Sequence, residues 1–251
     1  MAAISFIVTS YNYEKYIIET IESIKNQKYQ DIEIIVVDDA SSDNSVKILE
    51  NIENIKLIKH DKNQGQLAAI ITGLKEANGE YVSIIDSDDT LKPDYAGILL
   101  SALIENDVAL VTSNCKETKL LTPMEYPFGG WYWAPMSCGM FKRDILNCIL
   151  DYNNTNLWKI CPDKLLFNLA HLQGNSLTLN NNLVNKRVHS KNAGKTPLRF
   201  FVNVKNNFII RKEALKIIKF PVLQKIIQNS YSHLITQMFQ FGCKKFKKQT
   251  H

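Results

Sequence analysis

The sequence has no glycine before Gly65, and no G-x-G-x-x-G or G-x-x-x-x-G-K-[ST] run anywhere. That absence excludes the glycine-rich phosphate cradles of dinucleotide-binding and P-loop folds. Cysteine is sparse. Cys115, Cys138, Cys148, Cys161 and Cys243 are odd in number and form no C-x-x-C pair. Neither a disulfide framework nor a zinc knuckle is expected, and a reducing compartment is. No apolar run approaches the roughly 18–20 residues that span a bilayer. The N-terminus, MAAISFIVTSYNYE, lacks a basic segment and turns polar too early for a secretory leader. A cytoplasmic protein is expected. Acidic residues are nearly missing from one end: residues 186–251 carry 15 Lys/Arg against one Asp/Glu, whereas residues 1–185 carry 15 against 24. Such a split calls for an anionic partner of the basic end.

What is present centres on Gly79–Asp94, GEYVSIIDSDDTLKPD. A short apolar run, Tyr81–Ile85, ends in three carboxylates, Asp86, Asp88 and Asp89. The run reads as a buried strand between Gly79 and Pro93. Acids so close repel one another unless solvent or a cation screens them, so the turn is either solvated or a metal site.

The preceding residues repeat one theme. Ser5–Val8 is an apolar run ending in Thr9-Ser10-Tyr11-Asn12, and Ile17, Ile18, Ile21 and Ile24 then recur at helical spacing. Ile32–Val37 is β-branched, suits a strand covered on both faces, and ends in Asp38-Asp39. Ser41, Ser42 and Asp43 offer N-caps for a helix to about Asn51. Ile55–Ile58 is a third strand, and Asn63-Gln64-Gly65 a turn. Leu67–Ala77 is a helix stopped by the glycine signal at Asn78-Gly79. This alternation predicts an α/β fold with a mostly parallel sheet. Three strand ends carry polar or acidic residues, where open α/β sheets bind ligands.

The second half is less regular. Tyr95–Glu105 and Asp144–Leu150 read as helices, and Val108–Thr112 and Ser137–Phe141 as strands. Residues 114–135 read as a loop carrying Trp131 and Trp133. Pro162 and Asp163 open a helix that Gly174 closes, and Leu177–Leu179 and Leu183–Val188 read as short strands.

FIVTSYNYEKYIIETIESIKNQ, IEIIVVDDASSDNS, NQGQLAAIITGLKEANGEYV and IDSDDTLKPD, in that order and spacing, resemble glycosyltransferase family 2. The close match covers residues 4 to about 100, with fainter matches to about 192. The resemblance implies a GT-A fold and an inverting enzyme using a nucleotide-sugar donor and Mn²⁺ or Mg²⁺. It implies that Asp88 ligates the metal and that Asp86 contacts donor ribose or sugar; Asp89 reads as a turn residue. Asp39 would take the donor base, with Thr9 and Tyr11 beside it. A carboxylate accepts the uracil N3–H, which favours a UDP-sugar. Asp38 is open between a helix-capping and a ligand role.

The catalytic base implied by the resemblance is Asp163, the Asp of a Glu-Asp pair. Here Pro162 replaces the Glu, so a plain helix-terminal Asp is the alternative. Lys186–Asn192 resembles the family's Arg-x-His segment: Arg187 would support diphosphate charge, and His189 would complete the metal shell or touch the diphosphate. Trp131 and Trp133 are either an acceptor platform or core. The family's processive Q-x-x-R-W element is missing, which implies addition of a single sugar. The acceptor expected is a surface glycan of lipooligosaccharide, capsule or O-antigen type, free or lipid-linked. A non-catalytic nucleotide-sugar-binding relative and a basic membrane-surface adaptor are the alternatives.

Residues 1–194 read as the GT-A domain, with a donor half (1–100) and an acceptor half (101–194). Residues 195–251 read as a basic amphipathic helical extension. An anionic membrane surface, the acidic main domain or a second copy of the chain in a homodimer fits that extension. Nucleic acid does not, because no stacking aromatics interleave with its basic residues.

Overall fold

The computed structural model describes residues 3–121, 134–155, 162–187, 213–214 and 216–218. The chain divides into two compact units, Met1–Lys195 and Thr196–His251. In the second unit the described residues make one helical turn, with Ile218 N–H donating to the Ala214 carbonyl at 3.1 Å.

In the first unit, β1 (Ile4–Ser10), β2 (Ile32–Asp38), β3 (Lys56–Lys59) and β4 (Tyr81–Asp86) alternate with α1 (Ile17–Lys25), α2 (Ser45–Leu49) and α3 (Gln66–Glu76). The four strands pair in parallel in the spatial order β3-β2-β1-β4. β1 is central, and all seven of its residues are buried, as expected of a strand covered on both faces. Of the isoleucines expected on the buried face of α1, Ile17, Ile21 and Ile24 are fully buried but Ile18 is 49% exposed. One step along a helix turns the side chain by about 100°, and Thr20 takes the inward position instead.

Gly79 does not act as a left-handed helix cap: among the described glycines only Gly65 has a positive φ, 90°. Gly79 is needed for close approach. A Cβ there would lie 2.6 Å from the Ser5 backbone nitrogen, and Gly79 N–H donates to Ser5 Oγ at 2.8 Å. Glu33 fastens the same corner by accepting from Ser5 Oγ and from the Asn78 and Gly79 amides. Burial alone would raise its pKa, but these hydrogen bonds outweigh burial and hold it below the usual glutamate value.

Downstream come β5 (Thr90–Leu91), α4 (Tyr95–Asn106), β6 (Leu110–Thr112), β7 (Lys119–Leu121), β8 (Gly139–Lys142), α5 (Arg143–Leu146), α6 (Asp163–Gln173), β9 (Ser176–Thr178) and β10 (Val184–Asn185). The sheet continues β4-β8-β6-β9-β7. β8 runs antiparallel to both of its neighbours, β7 is antiparallel to β9, and β6 and β9 are parallel. The result is an eight-stranded α/β sheet whose parallel core is the first half. Lys119–Leu121, expected to be loop, is a strand, and the strand expected over Leu183–Val188 shortens to Val184–Asn185, paired with β5. The strand expected from Ser137 begins at Gly139, after a 3-10 turn over Met136–Cys138, and the helix expected over Asp144–Leu150 is the short α5 followed by a 3-10 turn over Asn147–Ile149. Among the described residues, no helix is long and apolar enough to cross a membrane, and Cys115, Cys138 and Cys148 are free thiols.

Candidate active site

Parallel register brings the strand ends together: Thr9 stands opposite Val37 on one side and Asp86 on the other, and Ser10 opposite Asp38. The loops leaving β1 and β2 are clasped. Asn12 N–H donates to Ser41 Oγ at 2.9 Å, and Asn12 Oδ1 accepts from Ser42 N–H at 2.7 Å. Glu14 N–H donates to Asp43 Oδ2 at 3.1 Å, while Glu14 Oε2 accepts from Asn44 N–H at 2.9 Å. Asn12 and Ala40 sit at positive φ, 61° and 64°. That region is tolerable for Asn but strained for Ala, and strain of this kind gathers at ligand-binding loops.

The acids divide by role. Asp38 is fully buried, and both its oxygens accept from Ser41, at 2.8 Å from N–H and 2.6 Å from Oγ. It has the local, turn-closing role. Ser41 is spent on it, and the residue preceding α2 is Asn44, with Asp43 Oδ1 accepting from Ser45 N–H at 2.9 Å. Asp39 is also buried; it accepts from the Gln64 and Gly65 amides and contacts His60.

At the end of β4, Asp89 is engaged by its own chain. Its Oδ2 accepts from Ser137 Oγ at 2.8 Å and its Oδ1 from Arg187 N–H at 3.2 Å. Asp86 accepts from Gln66 Nε2 at 2.7 Å through Oδ1, and the same amide reaches Thr9 Oγ1 at 3.4 Å. Burial, followed by the charges of Asp89, Asp88 and Asp163, pushes the Asp86 carboxyl up to about 7. Asp88 is buried in the same turn. Asp163, the first residue of α6, is buried, and its charge is felt at Asp86.

Arg187 joins that turn through its main chain and through Nε, which donates to the Asp88 carbonyl at 3.2 Å. Its guanidinium is also tied to Glu19 and lies 4.8 Å from the Tyr16 ring centre. That clasp holds the segment after β10 to α1. Tyr11 is 45% exposed at the mouth. His189, Trp131 and Trp133 lie outside the described residues.

Three participants were not foreseen. Tyr13 borders the acids: burial and then the charges of Asp88, Asp86 and Asp89 raise its phenol to about 12. Gln66 bridges β1 and β4, and His60 backs Asp39. The two tyrosines of Tyr11-Asn12-Tyr13 were the available sign for Tyr13. Nothing in the sequence marks His60 or Gln66, whose acidic partners, Asp39 and Asp86, lie 21 and 20 residues away.

Among the described residues, no cluster of three His, Cys, Asp or Glu side chains forms a ready-made metal cage. The turn nevertheless fits a hard divalent cation. Its side-chain acids offer carboxylate oxygens, and the rise at Asp86, due first to burial and then to the neighbouring carboxylates, includes a repulsion that a cation would relieve. Mg²⁺-type sites take few protein ligands and complete their shell with water and phosphate oxygens.

A model of glycosyl transferase family 2 matches residues 5–130, half of the chain. The chain belongs to glycosyl transferase family 2. The matched span holds every acid of the family 2 site described above except Asp163. An uncharacterized glycosyltransferase of Nostoc is 29% identical over 212 residues, covering 75% of this chain and 66% of that protein. Glycosyltransferase GlyG of Streptococcus pneumoniae is 41% identical over 115 residues, 44% of this chain and 38% of GlyG. The chain thus spans only part of the length of these curated relatives. Among solved structures, Staphylococcus aureus TarS with UDP has a TM-score of 0.65 at 22% identity, covering 85% of this chain and 69% of that one. Mannosyltransferase PcManGT of Pyrobaculum calidifontis, with GDP-Man and Mn²⁺, has a TM-score of 0.61 at 17% identity, covering 99% and 83%. At these identities the two structures speak to the fold, which is the GT-A fold of family 2.

Proposed function

We propose that the chain is an inverting, divalent-metal-dependent, non-processive transferase moving one sugar from a UDP-sugar to a surface-glycan acceptor. The observation that supports this reading is the acidic turn at the end of β4 in a chain of glycosyl transferase family 2, with a buried carboxylate, Asp163, opening a separate helix. TarS structures hold UDP and UDP-GlcNAc and PcManGT holds GDP-Man with Mn²⁺, which supports a nucleotide-sugar donor here.

In this reading Asp39 receives the donor base, with Thr9 and Tyr11 beside it. Asp86, steadied by Gln66, accepts from ribose or sugar hydroxyls, and Arg187 adds positive charge near the diphosphate. Asp88 would hold the cation, which when bound neutralises the departing diphosphate. Asp163 takes the proton of the acceptor hydroxyl as its oxygen bonds to the anomeric carbon. The bond to the diphosphate breaks with its electron pair going to phosphate, so the configuration inverts.

The test is release of UDP from a panel of UDP-sugars with Mn²⁺, with Mg²⁺ and with chelator. Metal-dependent release from one of them, accelerated by a glycan acceptor, is expected. Binding without turnover across the panel would instead make the chain a non-catalytic relative.

A further inference from the structure

Asp39 is occupied by its own protein before any ligand arrives. Gln64 N–H donates to Oδ1 at 2.9 Å and Gly65 N–H to Oδ2 at 2.7 Å. His60 Nδ1 lies 2.7 Å from Oδ1, and its Nε2 2.9 Å from Thr72 Oγ1. Amide N–H groups only donate, so Asp39 serves as acceptor on both oxygens, and the His60 contact puts a proton on Nδ1. Nε2 is held in turn by its hydrogen bond with the Thr72 hydroxyl. The His60 and Asp39 side chains are only 8% and 4% exposed, so water competes little for these bonds. A carboxylate offers about four acceptor directions. Both on Oδ1 are filled and one on Oδ2 is filled, leaving a single acceptor.

We propose that His60 is a positioning residue that sets base specificity: by saturating Oδ1 it restricts Asp39 to one ligand N–H, so the pocket takes uracil and rejects guanine. Uracil offers one ring N–H. Guanine offers adjacent N1–H and N2–H donors, which need both carboxylate oxygens; with Oδ1 filled, one donor is buried unpaired. The inference rests on the reading of Asp39 as the base contact.

Titration of the full chain with UDP and with GDP, in Mn²⁺, tests it. The parent should bind UDP more tightly than GDP. His60→Ala should lose about tenfold in UDP affinity while GDP affinity holds or improves, so that the UDP/GDP ratio falls. His60→Asn, whose amide can donate from the position of Nδ1, should restore the ratio. Thr72→Val, which removes only the outer partner, should shift it in the same direction by less, and serves if His60→Ala does not fold. Asp88→Asn should weaken both nucleotides alike. Equal losses for UDP and GDP in His60→Ala, or a parent indifferent between them, would overturn the proposal. UDP binding that depends on Asp39 with a ratio unmoved by His60 rejects this inference alone. UDP binding indifferent to Asp39→Ala, or no nucleotide binding at all, rejects the base-pocket reading and the inference with it.

Discussion

Asp86 shows how a site residue can work against the fold that carries it. Its carboxyl, raised to about 7, is protonated in the folded chain at pH values where the unfolded chain has already lost the proton. The stabilisation is therefore fully present below the ordinary aspartate value of 3.8 and is lost as pH rises through about 7. In metal-free protein, Asp86→Asn should flatten that limb and be the more stable form at pH 8, as read by urea midpoints at pH 4 and pH 8. Asp88→Asn should weaken metal-dependent UDP binding and slow transfer by about a hundredfold or more; an unchanged metal titration would remove Asp88 from the site. Asp163→Asn should leave donor affinity nearly intact while transfer falls by about 10²–10⁴-fold. Loss of donor binding together with turnover would make Asp163 a donor-site or structural residue.

At the level of elements, two glycines separate packing from propensity. Gly97, within α4, has open space around a would-be Cβ, whereas at Gly79 that atom would meet the Ser5 backbone at 2.6 Å. Gly97→Ala should stabilise by about 0.5–1 kcal/mol. Gly79→Ala should destabilise by about 1–3 kcal/mol, with thermal melting of the two variants as the check. The same contrast explains what could be read from sequence. β1, β2 and β4 are six or seven residues long and apolar, and each is followed by helical periodicity, so the parallel half was legible. β6, β8 and β9 read as strands near their places, but at three or four residues each they are too short to show an alternation that fixes partner or direction. β7, equally short, reads as loop. The acids after β2 and β4 were legible because they stand at strand ends, and Asp163 because it opens a helix after Pro162. Their supports were not: Ser137 reaches Asp89 across 48 residues, and His60 reaches Asp39 across 21, contacts created only by folding.

For the whole molecule, the charge split of the sequence is the open matter: 15 basic residues against one acid after residue 185. Docking of residues 195–251 on an anionic membrane predicts that the full chain co-sediments with anionic vesicles at low salt and that a chain ending at Gly194 does not, at about 1 kcal/mol per basic residue near the surface. Equal behaviour of the two would end that idea, and insolubility of the shorter chain would assign the segment to core or dimer contacts. The strand order has a consequence of another kind, in time rather than space. Synthesis delivers β1 to β4 first, and these can zip together as each crossover helix is completed. The free side of β4 then waits for β8, because β6, although made earlier, pairs with β8 and β9 and never with β4. Until Gly139–Lys142 leaves the ribosome, the nascent chain exposes a six-residue, largely apolar strand edge. That interval is when it is most open to pairing with another copy of itself, and a translational pause placed before β8 would lengthen it.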